Sequence, residues 1–350
     1  MTPLKPLQEI EIDDKLRSLP KVDLHVHAES QPRLDRILAR RGERPGYDWH
    51  RWVGRLMQEV PPGIGRMSWM NGELDVSGLE ELDAQPEYFI ARIQEILEEA
   101  ATDGAVLVEV RFGALTILNP EFMVLFREAE RRAQASFPGL CAEAIISLRF
   151  SRHGDDLIDA CLKAAKDGLA GIDLLPEPYE EEANWAKPYL LATRFSEAGL
   201  GITAHAGEFA PANLRAAMKT PGLTRIGHGT HALEIPNLVR ELAGSGVMVE
   251  SCLTCNIVLG SASSYEEHPA RALFEAGVHV CFNTDDPVRV CTTIGREYAI
   301  AHRLGFSLTE LAAISRRAIQ ASFTSPERKT ELLGLMDEWA AKALTSSAPS

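Results

Sequence analysis

The chain has 350 residues, 45% of them hydrophobic and 25% charged, an ordinary globular composition with enough length for a large core. Its formal net charge of −14 argues against nucleic acid or an anionic membrane as the main partner. No run of about 18 apolar residues, no apolar core in the first 20 residues and six cysteines without framework spacing predict a cytoplasmic protein with reduced thiols.

In chain order, a short leader up to Pro20 precedes the first apolar run, 21–27 (KVDLHVH). About 75 residues then pass before the next such run. They hold a helix predicted near 31–41 and the tryptophans Trp49, Trp52 and Trp69. Further β-branched runs follow at 105–112, 142–150, 171–175, 201–205, 225–228, 247–252 and 278–284. Between them lie stretches of helical period. In "NPEFMVLFREAERRAQASF" the spacing predicts Asn119 as N-cap and Pro120 at the first helical position. The tail, about 344–350, is small and polar and is expected to fray.

Strands alternating with helices imply a parallel sheet, and eight such units fit a closed (β/α)₈ TIM barrel. A doubly wound open sheet is the alternative. It should carry a glycine-rich phosphate turn after the first strand, and none follows His27. The expectation is therefore one barrel domain over 1–350, with an inserted helical segment or lid over about 29–85 after strand 1.

The polar residues fall where such a barrel builds its chemistry. His25 and His27 are two apart, so on a strand they face one side. His205 ends the fifth run, His228 the sixth, and Asp285 and Asp286 follow the eighth. All lie at C-terminal strand ends. Three imidazoles and a carboxylate suit one catalytic zinc ion, so His25, His27, His205 and Asp285 are assigned as its ligands. Glu208, three residues after His205, is placed to carry protons. His228 is open between a fourth ligand and a second-sphere base, and Asp286 between a ligand partner and a substrate acceptor. Cys252 and Cys255 form a C-x-x-C with no second pair and are read as packing residues.

The segments "PKVDLHVHAES", "TAHAGE", "RIGHGTH", "ESCLTCN" and "NTDDP" resemble, in order, the motifs of the adenosine/adenine deaminase family, metal-dependent amidohydrolases built on a (β/α)₈ barrel. The resemblance covers about Pro20 to Pro287. It implies zinc on His25, His27, His205 and Asp285. It further implies that Glu208 protonates the purine ring nitrogen, that His228 orients and helps deprotonate the zinc-bound water, and that Asp286 binds the imidazole side of a purine. No lysine ends the fourth run, which favours one metal over a bridged pair. The implied reaction is hydrolytic release of ammonia from a 6-aminopurine-type compound, with a small-molecule purine as the partner.

Two substrate positions depart from the adenosine form. Glu29 stands where that form has an aspartate reaching the ribose. Pro176 stands where it has a glycine whose N–H meets a ring nitrogen, and proline has no N–H to give. From Arg33 to Arg66 there are eight arginines against four acids. These are read as solvated helix faces, with an anionic purine derivative under a lid bearing Trp49 and Trp52 as the alternative. An amidohydrolase cleaving a cyclic amide, and a non-catalytic purine-binding relict, complete the functional alternatives.

Overall fold

The computed structural model describes residues 4–72, 79–151 and 154–343; the expected frayed tail at 344–350 lies outside them. Eight parallel strands follow one another around the sheet in chain order. They are β1 (Lys21–His27), β2 (Ala105–Gly113), β3 (Cys141–Arg149), β4 (Gly171–Leu175), β5 (Gly201–Ala206), β6 (Leu223–His228), β7 (Met248–Ser251) and β8 (His279–Phe282). Every strand lies within a few residues of its predicted run.

The ring closes through Asp285, three residues beyond β8. Val26 and Asp285 form a parallel bridge. The His27 N–H donates to the Asp285 carbonyl at 2.7 Å, and the Asp285 N–H to that of His25 at 2.8 Å. Two further side chains brace this seam: Asn283 Oδ1 accepts from the Leu24 N–H at 2.9 Å, and the Thr284 hydroxyl donates to Asp23 at 2.5 Å. The seam therefore sets His25, His27 and Asp285 beside one another as a consequence of closing the barrel. The expected (β/α)₈ architecture is the one found.

The barrel interior is charged. Arg111 and Arg225 are fully buried. Arg225 pairs with Glu109 at 2.5 Å and Glu250 at 2.7 Å, and Arg111 pairs with Glu250 and, at 3.5 Å, with Asp173. Buried ions need this mutual pairing, because leaving one unpartnered costs about 3–5 kcal/mol. The apolar core lies outside the strands, where alternate residues such as Val108, Val110, Ile146 and Ile172 meet the surrounding helices.

The segment between β1 and β2 builds helices Ser30–Arg40, Trp49–Glu59, Ile64–Gly72 and Glu80–Asp83 before the long helix Pro86–Thr102. Its apolar side chains form a second cluster with residues that follow β7 and β8, among them Cys252, Cys255, Leu259 and Val288. Trp49 meets Trp52 edge to face there and Trp52 meets Trp69 at a tilt, with ring centroids 5.5 and 5.2 Å apart. One helix start differs from expectation. A 3₁₀ turn at Ala114–Leu118 carries the chain out of β2, so Asn119 closes a turn by accepting from the Glu121 N–H at 2.9 Å. The helix then begins at Phe122, because the side chain that would cap it is spent two residues earlier.

Candidate active site

At the C-terminal end of the barrel a cavity of about 620 Å³ opens, within the usual range for small-molecule sites. Its floor is made by His27, His205, Glu208, His228, Asp285 and Asp286. The structure thus brings the distant strand ends into one place. The rings of His25 and His205 are 4.6 Å apart, those of His25 and His27 5.3 Å, and those of His25 and His228 4.9 Å. Asp285 Oδ1 lies 3.7 Å from His25 Nε2 and 3.4 Å from His27 Nε2. Such close approach needs small neighbours. A Cβ at Gly227 would stand 2.9 Å from the His25 ring, which explains a glycine immediately before His228.

The imidazoles are oriented from behind. His25 Nδ1 lies 3.0 Å from Glu250 Oε2, and His205 Nδ1 lies 2.9 Å from Asp173 Oδ1. A carboxylate on the far nitrogen fixes the tautomer and leaves a lone pair on the near one. Arg111 NH1, only a donor, lies 3.0 Å from His25 Nε2, which agrees with a lone pair there. Burial, followed by the charge of Arg111 and the neighbouring imidazoles, holds His25 well below its ordinary pKa. Burial also carries His27 down to about 4. Burial tends to raise Asp173, but Arg111 and His205 overcome it and hold that carboxyl well below the usual range. None of Arg111, Asp173 and Glu250 was singled out in the sequence. The available signal was charged residues inside otherwise apolar strands, Glu109 and Arg111 two apart in "VEVRF" and Asp173 in "GIDLL".

These residues fit a divalent metal. Buried ligand atoms of His25, His205 and His228 lie within 4.8 Å of one another, as do those of His25, Cys252 and Asp285, and of Glu208, His228 and Asp285. Burial, then Asp286 and Glu208, push Asp285 well above the ordinary carboxylate pKa. A cation among these carboxylates would relieve that crowding. His228 and Asp285 both hold left-handed backbone, at φ 67° and 63°, a conformation costly to non-glycine residues and concentrated at functional sites.

Glu208 is 3% exposed. Burial raises its pKa to about 8, against an opposing hydrogen bond from Tyr179. The Tyr179 hydroxyl donates to Glu208 Oε2 at 2.8 Å, and His228 Nε2 lies 3.5 Å from the same oxygen. Burial thus favours the protonated form of Glu208. Tyr179 escaped the sequence reading, since "PEPYEEE" has no periodicity to place it.

The substrate positions divide. Pro176 and Asp286 line the cavity. Glu29 lines it too, but its carboxylate accepts from the Val288 and Arg289 N–H groups at 3.0 and 3.1 Å and from Arg33 at 3.4 Å. It caps the short helix Pro287–Val290. Trp52 is not among the cavity's lining residues; it is 2% exposed inside the second apolar cluster. The insertion reaches the cavity instead through Ile64, Met67, Met70 and Asn71. Its arginines are also structural. Arg33, Arg36 and Arg40 pair with Glu95 and Glu99 on helix Pro86–Thr102, and Arg66 donates to the carbonyls of Met57, Val60 and Val258. The arginines that line the cavity are Arg149 and Arg289.

A barrel with this set of groups at its C-terminal end matches known proteins along most of its length. The adenosine deaminase family model matches residues 79–339. An adenine deaminase of Rhizobium leguminosarum bv. trifolii is 32% identical over 332 residues, covering 90% of this chain and 98% of its own. An adenosine deaminase of Shewanella loihica is 30% identical over 346 residues, covering 90% and 97%. Among solved structures, the Arabidopsis ADAL complexed with IMP superposes with a TM-score of 0.73 at 23% identity, covering 94% and 99%; at that identity the likeness speaks for the fold. The chain belongs to the adenosine deaminase family of the amidohydrolase superfamily, and it is a hydrolytic deaminase acting on C–N bonds. No helix among the described residues is long and apolar enough to cross a membrane.

Proposed function

We propose that the protein is a zinc-dependent deaminase of a 6-aminopurine-type compound, acting in the cytoplasm on a small-molecule substrate. The observation that carries this reading is Glu208: a buried carboxyl that accepts from Tyr179 at 2.8 Å, lies 3.5 Å from His228 and faces the same cavity as Asp285. His25, His27, His205 and Asp285 would hold the metal. When bound, zinc supplies hydroxide near neutral pH by lowering the pKa of its water to about 7.

The remaining steps belong to this chain's side chains. Glu208 gives its proton to the ring nitrogen beside the attacked carbon, so charge is neutralised there as the new C–O bond forms. Tyr179 holds the oxygen that does not carry the proton. The C–N bond to the exocyclic amine then breaks, the amine leaves with a proton as ammonia, and the ring keeps the oxygen. Asp286 is assigned to the imidazole side of the purine. At Pro176 no backbone donor meets the ring.

Glu29 favours a substrate that does not depend on a sugar contact there, because both its oxygens already accept backbone N–H groups. A free base, or a compact 6-amino-substituted one, suits this best. The cavity nonetheless leaves room beyond a purine and is lined by Arg149 and Arg289, so nucleosides and 5′-monophosphates belong in the same panel. The test is ammonia release from zinc-loaded protein across that panel. Turnover of at least one 6-aminopurine, abolished by chelation and restored by zinc, is expected. Ammonia from none of them, with cleavage of cyclic amides instead, would overturn the reading.

A further inference from the structure

Behind the cavity, one chain of hydrogen bonds determines where the single proton of His228 sits. It starts from a backbone donor. The Ala270 N–H donates to His268 Nδ1 at 3.2 Å, and a backbone N–H can only donate. Nδ1 of His268 is thus an acceptor, and its neutral ring carries the proton on Nε2. That nitrogen lies 3.1 Å from Asn256 Oδ1, so the amide presents its carbonyl to His268. The flipped amide would set NH₂ against an N–H. Asn256 Nδ2 then faces His228 Nδ1 at 3.2 Å, and His228 must accept there. Its proton lies on Nε2, which faces Glu208 Oε2 at 3.5 Å and Asp285 Oδ2 at 3.9 Å. A doubly protonated ring would oppose the amide donor with an N–H of its own. His268, Asn256 and His228 are all buried, at 5%, 0% and 1% exposure, which keeps water from supplying alternative partners. Hydrogen positions of this kind follow from the network, and here a donor that cannot reverse fixes the network at one end.

We propose that Asn256 and His268 are positioning residues of the deamination: the one-way chain from the Ala270 N–H through His268 and Asn256 holds His228 in its Nε2–H form, so that His228 donates a hydrogen bond into the site. The inference rests on the reading of this cavity as the deamination site. A ring held this way steadies negative charge on an oxygen beside it and cannot accept a proton on the nitrogen that faces the cavity. On that face His228 is a donor and not a base. Asn256 sits in the helix Leu253–Leu259 directly after β7, and His268 precedes the helix Ala270–Glu275. The connection between β7 and β8 thereby orients a side chain at the end of β6.

The experiment is two-bond ¹H–¹⁵N correlation spectroscopy on zinc-loaded protein with ¹⁵N-labelled histidine, with His228 assigned by its loss in His228→Gln. The native protein should show His228 as the Nε2–H tautomer. Asn256→Asp keeps the shape but replaces a donor with an acceptor, so the proton should move to Nδ1 or the ring should become doubly protonated. On a 6-aminopurine its kcat should fall about 10- to 100-fold, the size of one strong hydrogen bond lost, with a much smaller change in KM and zinc content unchanged. His268→Gln restores an amide donor to Asn256 that His268→Ala lacks, so its kcat should exceed that of His268→Ala. An Nδ1–H tautomer in the native protein, or an Asn256→Asp variant with the native tautomer and full kcat, would overturn the proposal. The tautomer is read without turnover, so a protein inactive on every aminopurine would sink the deaminase reading and leave the relay separately decided.

Discussion

The charged interior of the barrel and the apolar insertion above it keep their shapes by opposite means. Inside the barrel, position is set by directional partners. His25 is held by Glu250, His205 by Asp173, and Glu208 by Tyr179. In the insertion, position is set by packing, with Trp49, Trp52 and Trp69 in one apolar cluster with Cys252, Leu259 and Val288. Hydrogen bonds fix angles and protons, which chemistry requires. Packing fixes volume, which sets the shape of a cavity wall such as that of Met67 and Met70. Damage to the first region should therefore appear in turnover, and damage to the second in stability and substrate affinity.

Glu208→Gln is the strongest probe of this contrast. It keeps the shape and removes the acid, so kcat should fall by about 10²–10⁴-fold while the melting temperature and zinc content hold. A variant that loses zinc or retains full kcat would contradict the role given to Glu208. At the other extreme, Trp52→Ala empties a buried site in the insertion. It should cost about 3–5 kcal/mol in urea unfolding and raise KM, with kcat of the folded fraction little changed. A collapse of kcat equal to that of Glu208→Gln would erase the distinction between the two regions.

Tyr179 tests the barrel side more finely, through pH. In the proposed reaction Glu208 acts in its protonated form, and burial raises its pKa to about 8. The activity kcat/KM should therefore fall as pH rises through about 8. Tyr179 donates to the ionised carboxyl and lowers its pKa. Tyr179→Phe should thus move the alkaline limb upward, by about one pH unit for one lost hydrogen bond, and reduce kcat about tenfold. A limb that moves downward would refute the contact. The smallest effect belongs to Arg40→Ala, where the Glu95 pair is broken on a side chain 56% exposed. Stability should change by no more than about 1 kcal/mol and kcat not at all, as expected if the insertion's arginines serve the fold.

The two regions also differ in how far the sequence could be read. Strand ends are local: an HxH in a short apolar run and a histidine at the end of another are visible as text, and eight alternating units specify where those ends converge. His25, His27, His205, Glu208, His228 and Asp285 were all legible on that ground. The insertion gave only composition. Its eight arginines read as solvated helix faces, with a ligand-facing lid bearing Trp49 and Trp52 as the alternative, whereas Arg33, Arg36 and Arg40 are paired to helix Pro86–Thr102 and Trp52 is buried away from the cavity. Composition does not say which face of a helix points at a ligand and which at a neighbouring helix.

The sequence by itself thus determined the barrel and which strand ends meet at one end of it, because both depend on short-range patterns of polarity and on strand direction. Only the tertiary structure decided the rest. It showed that Glu29 caps the helix Pro287–Val290, that Tyr179 reaches Glu208, and that Arg111 and Glu250 stand behind the histidines. These are contacts between residues 29 to 259 positions apart. No local pattern encodes them, since they exist only once the chain has closed on itself and buried both partners.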